Sequence, residues 1–157
     1  MRAKIVAGVL GVALAFSGPA GAQLVGVVIG VPDGDTLEVR IDEHVLNIHL
    51  KQIDAPEVGQ PYGKRARESL AELCESKTVT LDELGIGRHR RIVGEAECAG
   101  VDAGEEQVRR GLAWALEQRS PPSALQALQA QARAEHRGLW SEAAPVPPWE
   151  WSAIFTQ

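Results

Sequence analysis

Apolar runs long enough to cross a bilayer are missing from this sequence. The longest, Ile5 to Phe16, has twelve residues, against about 20 for a membrane-spanning helix. Positive charge is also scarce. Two of the sixteen basic residues and none of the twenty-one acidic ones fall in the first 22 positions, leaving a formal charge of −7 on the rest. That balance argues against a protein that coats long nucleic acid by neutralising phosphates, but allows an enzyme with a small basic patch. Cysteine is limited to Cys74 and Cys98. A metal site needs more ligands than this pair supplies, and a nucleophilic thiol needs a base that the sequence does not place. A structural disulfide, formed in an oxidising compartment, is the better reading. It would stabilise by roughly 3 kcal/mol on the chain-entropy view. Tyrosine occurs once, at Tyr62, and there is no internal repeat.

What is present begins with an export signal. Arg2 and Lys4 precede the apolar run, and Ala20-Gly21-Ala22 offers small residues for cleavage before Gln23. Residues 1–22 therefore read as a signal peptide and 23–157 as one domain with a modest core. The expected product is a secreted or periplasmic protein, monomeric and free of the membrane once cleaved.

Leu24 to Val31 is a β-branched run that predicts a buried strand. Asp33-Gly34 marks a turn. Thr36 to Ile41 alternates as a return strand, and Val45 to Ile53 predicts a third. Pro56 closes that segment. Lys64 to Glu75 switches to helical spacing, with Ala66, Leu70, Leu73 and Cys74 on one stripe. Lys77 to Leu81 and Arg90 to Cys98 predict two more strands, with Gly94 as a bulge. A disulfide would then join the end of the helix to the end of the last strand. Glu105 to Leu116, capped by Gly104, and Ser123 to Arg137, ended by Gly138, predict two further helices. The tail from Ala143 to Pro148 is expected to be extended. The order suits a β-rich α+β fold, an OB-fold five-stranded Greek-key barrel with three helices.

Asp33-Gly34-Asp35-Thr36 and Ile53-Asp54-Ala55-Pro56-Glu57 place four acids at the ends of neighbouring strands. Clustered carboxylates repel unless something positive lies between them, and hard oxygens of this kind suit Ca²⁺ or Mg²⁺, not zinc. These two segments, with Gln60-Pro61-Tyr62-Gly63, Arg91, Gly111-Leu112-Ala113-Trp114, Gly138-Leu139-Trp140 and Pro148-Trp149-Glu150-Trp151, resemble the staphylococcal nuclease (thermonuclease) family. The likeness runs in register from about Leu24 to Trp151.

The resemblance implies an OB-fold and a Ca²⁺-dependent phosphodiesterase acting on DNA or RNA. By position, Asp35, Asp54 and the Ala55 backbone carbonyl match the family's metal ligands, and Asp33 an outer support for them. Glu57 matches the general base, and Arg91 one of two phosphate-neutralising arginines.

Three departures stand out. His49 occupies the position of the second arginine, and it lends fewer donors and is mostly neutral at pH 7. Reduced or pH-shifted catalysis, and outright loss of that role, are both compatible with His49. Gly87-Arg88-His89-Arg90-Arg91 stands where the family has Asp-Arg-Tyr-Gly-Arg, so Arg88 and His89 become the phosphate-side candidates beside Arg91. Arg90 and Arg91 would face opposite ways on a strand, and alignment favours Arg91. Finally, Ala115 to Ser120 lacks the tyrosines on which the family stacks a base, and Trp114, Trp140, Trp149 and Trp151 read as packing residues. The expectation is a Ca²⁺-dependent nuclease with weakened activity. The alternatives are a non-catalytic OB module that binds nucleic acid or another phosphate-bearing ligand, and a secreted interaction domain.

Overall fold

Strict alternation in Thr36–Ile41 buries Leu37 and Val39 completely and turns Glu38 and Arg40 away from the interior, as a period of two requires. The same pattern recurs in enough short segments to close a barrel. The computed structural model describes residues 23–116 and 122–155. The expected signal peptide lies outside them, as does most of the loop after Leu116.

The strands are β1 Leu24–Gly30, β2 Thr36–Ile41, β3 His44–Leu50, β4 Ile53–Asp54, β5 Thr78–Ile86, β6 Ile92–Cys98, β7 Val101–Asp102 and β8 Trp114–Ala115. The α-helices are α1 Gly63–Cys74, α2 Ala103–Arg109, α3 Ala124–Ala134 and α4 Pro148–Phe155. Antiparallel pairs β1–β2, β2–β3, β1–β5 and β5–β6 join a parallel pair, β3–β6, with Ile48 opposite Ile92 and Leu50 opposite Gly94. That last pair turns an open sheet into a closed five-stranded mixed barrel, the OB architecture, with no free edge among these strands. Val28, Leu37, Val39, Ile48, Val79 and Leu81 fill it, and Ala66, Leu70 and Cys74 of α1 belong to the same core. Cys74 and Cys98 form a disulfide with Cα atoms 5.3 Å apart, joining the last residue of α1 to the last of β6.

The structure departs from the sequence reading in several places. β1 is apolar throughout, yet Val25, Val27 and Ile29 are exposed, so its β-branched run reports strand preference and not burial. The third strand ends at Leu50. Lys51-Gln52 turns, with Gln52 at φ 63°, and sends Ile53–Asp54 out of the barrel to pair with β8. The bulge lies not at Gly94 but across from it, between Asp82 and Gly85 of β5. A Cβ on Gly94 would sit 2.6 Å from Leu84 Cδ2 and 3.1 Å from Asp82 O, so the bulged strand packs closely over this glycine. Arg90 belongs to a 3-10 turn, Arg88–Arg90, ahead of β6. α2 is shorter than expected and is capped by Asp102, whose Oδ1 accepts from Glu105 N–H at 2.7 Å. It stops before Gly111, whose φ of 70° sends the chain back so that Leu112 is buried without being helical. Ser123 is the N-cap of α3, in a reciprocal capping box with Gln126, and Glu135 ends that helix before Gly138 is reached. The Trp149-Glu150-Trp151 end of the tail is part of a fourth helix.

Candidate active site

Asp35 N–H donates to Asp33 Oδ1 at 3.1 Å, which closes the Asp33-Gly34-Asp35 turn on its own side chain. Gly34 is required there, because a Cβ would fall 2.6 Å from Ala66 and 2.7 Å from Ala55. The two acidic segments are then joined directly. Ala55 N–H donates to Asp35 Oδ2 at 2.7 Å, and Leu50 N–H to Asp35 O at 2.8 Å. Asp54 is held by β4–β8 pairing opposite Trp114.

Glu57 follows buried Pro56 on a turn with its own fastening. Glu57 N–H donates to Gln60 Oε1 at 3.2 Å, and Gln60 Nε2 donates to Val146 O at 2.5 Å. The backbone of Glu57 also passes so close to Gly63 that any Cβ there would collide with it. The Glu57 side chain takes no part in these contacts and is exposed.

The basic side comes from the 3-10 turn. Gly87 N–H donates to Arg91 O at 2.8 Å and Arg91 N–H to Arg88 O at 3.2 Å. His89 and Arg90 are both left-handed, at φ 55° and 61°, a local strain typical of functional loops. Arg88, His89 and Arg91 line one cleft of about 600 Å³ together with Asp33, Asp35, His49, Asp54 and Glu57. Arg90 does not. Every residue expected at the site lines that cleft, from four separate stretches of chain. Arg90 and Arg91 do not alternate on a strand as expected, since both precede β6.

A family model described as "Staphylococcal nuclease homologue" matches residues 47–142. The chain belongs to this family. A protein of Escherichia coli named "Uncharacterized endonuclease" is 41% identical over 131 residues, covering 83% of this chain and 86% of its own. The "Micrococcal nuclease" of Shigella flexneri is 33% identical over 153 residues, covering 89% and 87%. An "Uncharacterized endonuclease" of Haemophilus influenzae is 34% identical over 126 residues, covering 79% and 70%.

In this staphylococcal nuclease homologue the carboxylates are under electrostatic stress. Burial, followed by the charge of Asp33, pushes Asp35 up to about 8, against the opposing hydrogen bond from Ala55. Burial and then Glu57 push Asp54 up to about 6, with Arg91 opposing. Such a cluster favours an added positive charge. Its donors are hard oxygens, the chemistry that fits Ca²⁺ or Mg²⁺. Among the described residues no three Asp, Glu, His or Cys side chains are already drawn into a cage, so most of a six- to eight-oxygen shell would fall to water and substrate.

His49 is pushed down by burial and then by the charge of Arg91, so it is neutral at pH 7. The Thr36 hydroxyl lies 3.2 Å from Asp35 Oδ1, to which it donates, and 3.0 Å from His49 Nδ1. The hydroxyl thus bridges the two side chains, tying the His49 ring to the acidic segment through Nδ1.

Two residues escaped the sequence reading. Trp149, expected as a packing residue, is 49% exposed and forms an apolar cleft wall with Leu116, braced edge-on by Trp114 at 6.3 Å between ring centroids. Gln107 is fully buried on α2 and donates to the Gly34 carbonyl. In the sequence it stands one position before the inward Val108, about 100° round the helix from it, and nothing there marks it as buried.

Proposed function

We propose that this protein is an exported, Ca²⁺-dependent phosphodiesterase that hydrolyses DNA or RNA. The observation that carries the reading is the single cleft in which acids and guanidinium groups meet. Asp35, Asp54 and the Ala55 carbonyl would hold the ion, with Asp33 bracing Asp35. Bound there, Ca²⁺ supplies Lewis-acid polarisation of a phosphoryl oxygen. Glu57 accepts the proton of the water that attacks phosphorus. The Arg91 guanidinium binds the non-bridging oxygens on which charge accumulates, with Arg88 and His89 extending the basic rim. The Leu116–Trp149 wall suits the apolar face of a base. The Cys74–Cys98 disulfide and the apolar leader support export.

The ion is tested by calorimetric Ca²⁺ titration of wild type and Asp35→Asn. Wild type is expected to bind one Ca²⁺ and to melt higher in its presence. Asp35→Asn should lose that binding, yet melt a few degrees above wild type without Ca²⁺, because a buried charge among like charges is gone. Wild type that neither binds Ca²⁺ nor melts higher with it would sink the proposal.

A second reading, binding without turnover, is favoured by one observation, His49 in the cleft with its pKa pushed down by burial and by Arg91, where the resemblance calls for a permanently charged arginine. His49→Arg separates the two. A gain of about tenfold or more in cleavage is expected, from restoring a charge-assisted phosphate contact worth roughly 1.5–3 kcal/mol. No gain, with nucleic-acid binding retained, would favour the module.

A further inference from the structure

Four carboxylates around one cleft repel one another, and something must keep Asp33 and Asp35 from splaying apart. We infer that Gln107 is the positioning residue that does so, by clamping the peptide between them from inside the core. The inference rests on the reading that these carboxylates receive a cation.

Gln107 is 0% exposed. Its Nε2 donates to Gly34 O at 2.7 Å and to Ala66 O at 2.9 Å, across 73 and 41 residues of sequence. Both amide hydrogens are thereby used. The Gly34–Asp35 peptide is gripped at both ends, since its carbonyl accepts from Gln107 and its N–H donates to Asp33 Oδ1 at 3.1 Å. Fixing that plane fixes the Cα of Asp35 and the carboxylate of Asp33 together. Ala55 and Ala66 close the remaining space around Gly34, so the turn has nowhere to relax while the clamp is in place.

Gln107 Oε1 finds no hydrogen-bond partner among the described residues. A buried acceptor left unpaired is destabilising, and an apolar side chain of similar volume would avoid that. The amide at this position is explained by what its donors hold. Ligand-orienting residues of this kind are the ones whose loss weakens metal affinity by about 10- to 100-fold.

Gln107→Met keeps the volume and removes the donors. Its Ca²⁺ affinity, measured by calorimetry beside circular dichroism and thermal melts, should fall by about 10- to 100-fold with the fold retained. A lowered melting temperature with unchanged Ca²⁺ affinity would show a merely structural residue and overturn the inference. Wild type that binds no Ca²⁺ would overturn the reading beneath it as well, so the two failures are distinguishable. A measurement on wild type needs no variant. The Gln107 side-chain amide resonances should be slow to exchange and should shift on Ca²⁺ addition. Resonances that exchange freely and ignore Ca²⁺ contradict the clamp.

Discussion

Glu57→Gln is expected to lower Ca²⁺-dependent cleavage of single-stranded DNA by about 100- to 10,000-fold, the range in which a positioned general base contributes. The loss should fall on kcat. The exposed Glu57 side chain takes no part in fastening its own turn, which is held through backbone and through Gln60. Glutamine therefore leaves the fold intact. It also removes a negative charge that raises Asp54, so Ca²⁺ binding should persist. Steady-state rates beside a calorimetric Ca²⁺ titration check both halves. A loss of less than about threefold would remove Glu57 from the chemistry.

The second large effect is on stability. Cys74 and Cys98 are fully buried and close a separation of 24 residues. Loop-closure entropy for that length amounts to about 3.5 kcal/mol, so Cys74→Ala combined with Cys98→Ala should lower the melting temperature by roughly 10–15 °C. Reduction of the wild-type protein should produce a similar drop. A loss below about 1 kcal/mol in denaturant titrations would mean that α1 and β6 are held together by packing alone. A large loss would also tie full stability to an oxidising compartment.

How much of this was legible in the sequence depended on whether a feature is local. The alternation of Thr36–Ile41 and the helical stripe of Ala66, Leu70 and Cys74 are local patterns, and both were read with their faces correct. The paired acidic segments were legible because turn chemistry and charge repulsion act at short range. The Lys51-Gln52 turn was not. Ile53 continues the apolar pattern of β3, and only pairing with Trp114–Ala115, some sixty residues on, draws it out of the barrel. The early end of α2 was hidden similarly, since Leu112 is buried by the return of the chain after Gly111 and not by helical spacing. Gln107 illustrates the limit most sharply. Its partners lie 73 and 41 residues away, and a lone glutamine in a helix carries no sign of what it holds. Trp149 does pack, edge-on against Trp114, but helix α4 also sets it on the cleft wall, which a local pattern does not reveal.

His49 and the carboxylates together define what is at issue. All four acids line the cleft, and Arg91 lines it with Arg88 and His89 beside it. The central claim is that this arrangement turns over phosphodiesters with a hard cation. The most direct test is the rate at which wild-type protein hydrolyses single-stranded DNA and RNA between about pH 6 and pH 10, with Ca²⁺ and with EDTA. Cleavage that needs Ca²⁺ and stops in EDTA is the predicted result, and no cleavage in either, or equal rates in both, would contradict it.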